Sequence, residues 1–332
     1  MAVPADCAVW IVCVRKTGHV NQCLALARAL GTEPERTILI DGKAAADRPF
    51  RKAMLALLTP WQILRARLFH RQPARLLVIS SGRSVLPLLR AWRHRAGARL
   101  FAVHVGLPKK GAGGADIVVA SRHQIAEGDG DRDQPALRGH RRLIPIDGVL
   151  ARPPAPTRAP FEPAGRHLVI LIGGKNVTFD YGAPLFARAL ARMRSILADG
   201  PGTVVFSRRT YPGTAAQTRQ ALSGLGATFV DAEDREGFVR AVARATHLIV
   251  FPDSITMICE CCTTGRPVFV PEMDVRRPEH ENARFIAAFL REGYILPLDA
   301  FAWDAQTRPL EDEAARIAPE IIAALSAPAQ RR

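Results

Sequence analysis

Short, continuous apolar runs recur along this chain with amphipathic stretches between them, and the pattern breaks once before starting again. In the first half, runs at 8–14, 37–40, 75–80, 100–104, 117–120 and 143–146 read as strands, and stretches such as 21–30 and 84–93 read as helices. The runs are continuously apolar and rich in β-branched residues instead of alternating apolar with polar, which marks strands buried on both faces of a parallel sheet. The break lies at 151–163, where five prolines in thirteen residues can continue neither a helix nor a central strand. Beyond it the pattern resumes. Strands are predicted at 167–172, 203–206 and 247–251, helices at 183–197, 214–222 and 236–245, then a short helix from Ile255 and another apolar strand after Pro267.

This order predicts an α/β protein with two similar domains whose parallel sheets face a cleft. The boundaries fall at 1–150, a linker at 151–165, a second domain at 166–310, and a terminal helix and tail at 311–332 able to pack on either domain. A chain of 332 residues with 48% hydrophobic content has enough material for two cores. In open parallel sheets, ligands bind beyond the carboxyl ends of the strands, so the chemistry is sought in the loops there.

The net charge of +15 would suit a nucleic-acid binder, but the excess is mostly arginine scattered among helices and not gathered in a tail. No nucleic acid is expected; a polyanionic small ligand or a membrane surface fits the same charge. The six cysteines show no metal-finger spacing, and Cys259, Cys261 and Cys262 point in different directions on one helix. They read as apolar filler in a reducing compartment, and no metal is expected. The first apolar stretch is too short and follows Asp6, so no signal peptide is expected, and no run approaches a membrane span. The reading is a cytoplasmic protein, at the inner face of a membrane if residues 51–71 lie on one. That segment sets Met54, Leu57, Leu58, Trp61, Leu64 and Leu68 against Arg51, Lys52, Arg65, Arg67 and Arg71. It suits an anionic bilayer or, equally, a protein core with a solvated arginine face.

Several loops carry candidate chemistry. After the strand at 247–251, Asp253 or Ser254 can cap a helix whose first amides, at Ile255 and Thr256, would hold a phosphate. Glu260, on the same helix, can accept hydrogen bonds from both hydroxyls of a ribose. Gly173, Gly174, Lys175 and Asn176 follow the first strand of the second half, and Ser207, Arg208 and Arg209 follow the next, where one or both arginines can neutralise a diphosphate. In the first half, Gly18 lets a ligand approach the backbone, and His19 beside it is the candidate general base, or an ordinary residue at a helix start. Asn21 follows on the same helix. Ser81, Gly82 and Arg83 repeat the glycine-and-hydroxyl theme and could touch the acceptor, or simply make a turn.

Two of these motifs resemble a known class. Thr17, Gly18, His19 and Val20 before an Ala/Leu helix are similar to the first loop of the N-acetylglucosaminyltransferase that makes lipid II. Glu260, Gly265 and Pro267 are similar in spacing to its ribose-binding segment. The set Gly18 to Gln22, Ser81 to Ser84, Leu171 to Gly174, Ser207 to Thr210, Asp253 to Met257 and Glu260 to Val268 resembles more closely the elongated-mitochondria fission family. That resemblance implies a GT-B-like fold of two Rossmann-like domains, the first on the acceptor side and the second holding the nucleotide sugar. It implies Glu260 at the ribose, residues 254–256 at the phosphates and His19 at the acceptor. Pro252 departs from the paired glutamates of retaining enzymes, which puts that stereochemistry in doubt. The expected activity is metal-independent sugar transfer from a nucleotide-sugar substrate to a lipid or envelope acceptor, with no tightly bound cofactor. A non-catalytic adaptor of division or envelope machinery, or a nucleotide-sugar epimerase, are the alternatives on the same fold.

Overall fold

The computed structural model describes residues 3–41, 75–108, 111, 113–125, 142–151, 165–174 and 176–327. Lys175, the segment 51–71 and nearly all of the proline-rich linker lie outside the described residues. Internal contacts divide the chain into two compact units, Met1–Ala151 with Asp312–Arg332, and Arg152–Glu311.

The first unit is built on strands β1 (Cys7–Val14), β2 (Arg36–Ile40), β3 (Arg75–Ser81), β4 (Leu100–Val105), β5 (Ile117–Ser121) and β6 (Arg142–Ile146). They form one sheet in the order β2-β1-β3-β4-β5-β6, and every pairing is parallel. Helix α1 (Thr17–Ala29) follows β1, and α2 (Leu86–Ala96) follows β3. The helix read at 84–93 begins later, after a 3-10 turn at Arg83–Val85, because Pro87 has no amide hydrogen to give and suits only a helix's first turn. On one face of the sheet Leu89 and Trp92 of α2 pack on Val12 and Val78; on the other, Leu26 and Leu30 pack with Ile11 and Ile79.

The second unit repeats the plan. Its elements are β7 (Leu168–Ile172), β8 (Phe179–Asp180), α3 (Ala183–Leu197), β9 (Gly202–Phe206), α4 (Pro212–Leu222), β10 (Ala227–Val230), α5 (Arg235–Arg244) and β11 (His247–Val250). Then come α6 (Ile255–Cys262), β12 (Val268–Val270), β13 (Asp274–Val275), α7 (Glu281–Arg291) and β14 (Leu296–Pro297). Six strands pair in parallel in the order β10-β9-β7-β11-β12-β14, while β8 and β13 make a small antiparallel ribbon. The last helix, α8 (Glu313–Ser326), returns to the first unit, where Ile317, Ile321 and Leu325 share a core with Leu26 and Ile11. Arg142 and Glu320 form an ion pair at 2.7 Å, and Arg316 donates to the Pro145 carbonyl at 2.9 Å.

Both sheets reverse direction once. In the first, the chain steps outward from β1 to β2 and then crosses back to β3 on the other side of β1. In the second, it runs outward through β9 and β10 and returns to the far side of β7 as β11. At such a switch point the two loops leave the strand ends in opposite directions and open a crevice, where doubly wound proteins bind ligands. Most candidate motifs of the sequence fall on these loops, after β1 and β3 in one unit and after β7 and β11 in the other, while Ser207, Arg208 and Arg209 follow the neighbouring strand β9.

Candidate functional site

In the second unit the switch point is organised around Asp253, which is fully buried. Its Oδ1 accepts a hydrogen bond from the Tyr181 hydroxyl at 3.0 Å, and the Gly174 amide donates to the same carboxylate. Arg209 Nη2 lies 2.7 Å from Oδ2, near enough for an ion pair although out of line for a hydrogen bond. Asn176 ties the two loops together, its amide donating to the Asp253 carbonyl at 3.0 Å while its Oδ1 accepts from the Thr178 and Phe179 amides. The glycine pair is what lets these groups meet. A Cβ on Gly173 would fall 1.5 Å from Asp253 Oδ1, and one on Gly174 would fall 1.8 Å from the Arg209 carbonyl oxygen. The room the sequence reserved for close approach is therefore filled, at these positions, by the protein's own acid and backbone. Burial raises the Asp253 carboxyl above the usual range; the Arg209 charge and the hydrogen bonds from Gly174 and Tyr181 oppose it.

Ser254, not Asp253, caps α6, its hydroxyl accepting from the Met257 amide at 3.4 Å. Ile255 and Thr256 form the first turn, so their amides emerge where the Gly173–Asn176 loop and the Asp253 loop converge. Glu260 lies further along the same helix, half-buried, and burial pushes its carboxyl up to about 7 against the pull of Arg235. Ser207 and Thr210 clamp the neighbouring turn: the Thr210 hydroxyl donates to the Ile172 carbonyl at 2.8 Å, and the Ser207 amide bonds to Ile172 and Thr210. Arg208, on the same turn, is exposed.

In the first unit, α1 starts two residues beyond β1, which puts His19 in its first turn. His19 Nδ1 lies 2.7 Å from the Ser81 hydroxyl at the end of β3, and that hydroxyl donates to the Val105 carbonyl at 2.9 Å. Gly82 closes this corner at φ +98°, where a Cβ would strike Val14 at 2.7 Å; only glycine fits. Gly18 contributes backbone, its carbonyl accepting from Gln22 at 3.2 Å, Asn21 lies further into α1, and Arg83 is exposed at the start of the 3-10 turn. One residue back on β3, Ser80 meets His104 Nδ1 at 2.9 Å. Burial, and secondarily the nearness of His19, drives His104 down to about 3, so it is neutral at physiological pH.

The described candidates lie on the loop after β1 with α1 and the loop after β3 in the first unit, and on the loops after β7, β9 and β11 with α6 in the second. Tyr181, Arg235 and His104 join them without having been read from the sequence. Tyr181 gave no local signal, because its partner lies 72 residues on. Arg235 could have been found only by recognising β10, a half-exposed edge strand with no long apolar run. Among the described residues no group of three or more His, Cys, Asp or Glu could hold a metal ion, and no helix is long and apolar enough to cross a membrane.

Two parallel, doubly wound sheets, each with its chemistry-bearing loops at the switch point, define a protein of the two-Rossmann-domain, GT-B-like class. Solved structures agree on the fold. A Listeria monocytogenes protein described as a putative UDP-N-acetylglucosamine 2-epimerase matches with a TM-score of 0.55 and 13% identity, over 96% of each chain. The UDP-GlcNAc 2-epimerase of Methanocaldococcus jannaschii matches with a TM-score of 0.55 and 11% identity, over 95% of this chain and 99% of that one. The chain belongs to the family described as Mitochondrial fission ELM1, whose profile matches residues 17–325. The Arabidopsis thaliana mitochondrial fission protein ELM1 is 22% identical over 231 residues, which is 63% of this chain and 54% of that protein. The chain therefore spans about half the length of the curated relative it matches.

Proposed function

We propose that the protein moves a sugar from a nucleotide-sugar donor to a hydroxyl of a lipid or cell-envelope acceptor, without a metal. The observation that carries this reading is Glu260, a half-buried acid whose carboxyl is pushed up to about 7 on the helix that starts at the switch point. Desolvating a carboxylate disfavours its charged form, so its presence there calls for a partner. The two hydroxyls of a ribose are such a partner, and the amides of Ile255 and Thr256, with the positive end of the α6 dipole, suit the adjoining phosphates.

Arg208 and Arg209 stabilise the departing diphosphate. Arg209 has first to share or leave Asp253. Lys175, next in sequence to Gly174, adds a further positive charge. In the first unit, His19 takes the proton of the acceptor hydroxyl as its oxygen attacks the anomeric carbon, and the bond to the diphosphate breaks with its electron pair leaving on phosphate oxygen. Asn21, Ser81, Gly82 and Arg83 make up the acceptor side, and residues 51–71 supply a peripheral contact with an anionic membrane. The epimerases that share the fold are named for acting on a nucleotide sugar, which supports the donor class.

Thermal-shift measurements with UDP, GDP, CMP and ADP sugars test it. One class is expected to raise the melting temperature, since a ligand at about 100 times its Kd adds about 2.7 kcal/mol to the folded state. Glu260→Ala should lose that shift. A panel with no shift at all contradicts the donor site. Conversion of the donor to an epimeric nucleotide sugar with no acceptor present would make the protein an epimerase, and binding without turnover would make it an adaptor.

A further inference from the structure

The contact between His19 and Ser81 decides which nitrogen of the histidine can act. A hydroxyl has one proton, and the Val105 carbonyl, 2.9 Å from Ser81 Oγ, can only accept it. Turning that proton toward His19 instead would leave two oxygen lone pairs facing each other in a place Ser81 shares with almost no water, since it is 1% exposed. Ser81 therefore offers His19 a lone pair, and the ring nitrogen 2.7 Å away must carry the hydrogen.

We propose that Ser81 is a positioning residue that holds His19 in the Nδ1–H tautomer, so that Nε2 is the atom that takes the acceptor's proton. The inference rests on the reading of His19 as the base, and gives Ser81, on the acceptor side, a role that acts through His19. The bond survives the proton transfer. When Nε2 takes the proton from the acceptor hydroxyl, Nδ1 goes on donating to Ser81, and the ring keeps its orientation while the positive charge is spread over both nitrogens. The relay ends on a backbone carbonyl of β4, in the register that pairs Ser81 with Val105, so its geometry is set by the sheet and not by a mobile side chain. His104 is the titratable neighbour, and its own bond to Ser80 and its burial keep it neutral, so it adds no like charge when His19 is protonated.

The corner itself supports the assignment. Gly82 at φ +98° turns the chain away directly after Ser81, with Val14 filling the space a Cβ would need, so the hydroxyl is presented to α1 at a fixed distance. Ser80 and Ser81 are buried hydroxyls in an otherwise apolar strand, and each has a histidine partner. A strand core that needed only packing would hold apolar side chains at both positions.

Nitrogen NMR of the full chain labelled in its histidines tests this directly, because protonated and lone-pair nitrogens of a neutral imidazole resonate far apart. The expected spectrum shows His19 with Nδ1 protonated and Nε2 bearing the lone pair. Ser81→Ala is expected to move the population toward the Nε2–H form, and Ser81→Thr to restore it. Hydrolysis of the donor that raises the melting temperature, followed by nucleotide release, should fall by about tenfold in Ser81→Ala and recover in Ser81→Thr, less than the roughly 10²–10⁴-fold that a general base itself contributes. A wild-type spectrum with the proton on Nε2 overturns the proposal without reference to any variant or activity. If the tautomer is as stated but His19→Ala hydrolyses the donor at the wild-type rate, the base reading fails, and with it the positioning role, leaving a structural bond.

Discussion

Gly173→Ala is expected to lower the stability of the second unit by about 2–6 kcal/mol, a large part of the roughly 5–15 kcal/mol that a folded domain has. The methyl would sit 1.5 Å from Asp253 Oδ1 and 2.3 Å from its Cγ, so the carboxylate must move. Overpacking of this kind costs about 1–3 kcal/mol. Moving Asp253 also leaves the half-buried Tyr181 hydroxyl without its acceptor, worth about a further 1–3 kcal/mol. Urea unfolding should show the second unit's midpoint falling. Gly213→Ala is the control: nothing lies within 4 Å of a Cβ at that helical position, and alanine there is neutral or stabilising. Equal midpoints for wild type and Gly173→Ala would mean that Asp253 does not occupy the place described.

The pH dependence of stability should carry opposite signatures from the two units. His104 accepts a proton at about 3 in the folded chain, against an ordinary value of 6.5. Between these values the unfolded chain binds the proton and the folded chain does not, so stability is full above about pH 6.5 and falls as pH drops, by about 1.4 kcal/mol per unit. By pH 3 that amounts to about 5 kcal/mol. Glu260 works the other way. Its carboxyl holds a proton up to about 7 when folded but only to 4.5 when unfolded, so stability falls as pH rises through that window, by up to about 3 kcal/mol. His104→Asn should flatten the acid limb, and Glu260→Gln should be more stable than wild type at pH 8 and no different near pH 4. Denaturant midpoints from pH 4 to pH 8 measure both. Parallel curves for wild type and Glu260→Gln would show that the acid is solvated, and the strongest argument for a ribose site would go with it.

Most of the sheet was legible because buried parallel strands are written as uninterrupted apolar runs, as in Cys7–Val14 and Leu168–Ile172, and the chain order then fixes where the loops emerge. The half-exposed edge was not. Ala227–Val230 carries too little apolar sequence to stand out, and without it Arg235 could not be placed beside Glu260. Helix starts were legible to within a few residues, but not which residue caps: Asp253 and Ser254 have the same local chemistry, and the choice of Ser254 depends on Tyr181 and Arg209 drawing Asp253 inward. Gly173 and Gly174 were legible as a close approach but not its occupant. A glycine pair says that something comes near; only the fold says that it is the chain's own carboxylate and carbonyl.

The central claim is that a diphosphate-bearing sugar nucleotide binds where the loop after β7 meets the start of α6. Backbone amide NMR of the intact chain, titrated with the UDP-sugar or other donor that raises its melting temperature, reads that place residue by residue. The largest shifts are expected at the amides of Ile255 and Thr256, with Glu260 responding to the ribose. Shifts confined to other loops, or none at saturating donor, would contradict the account.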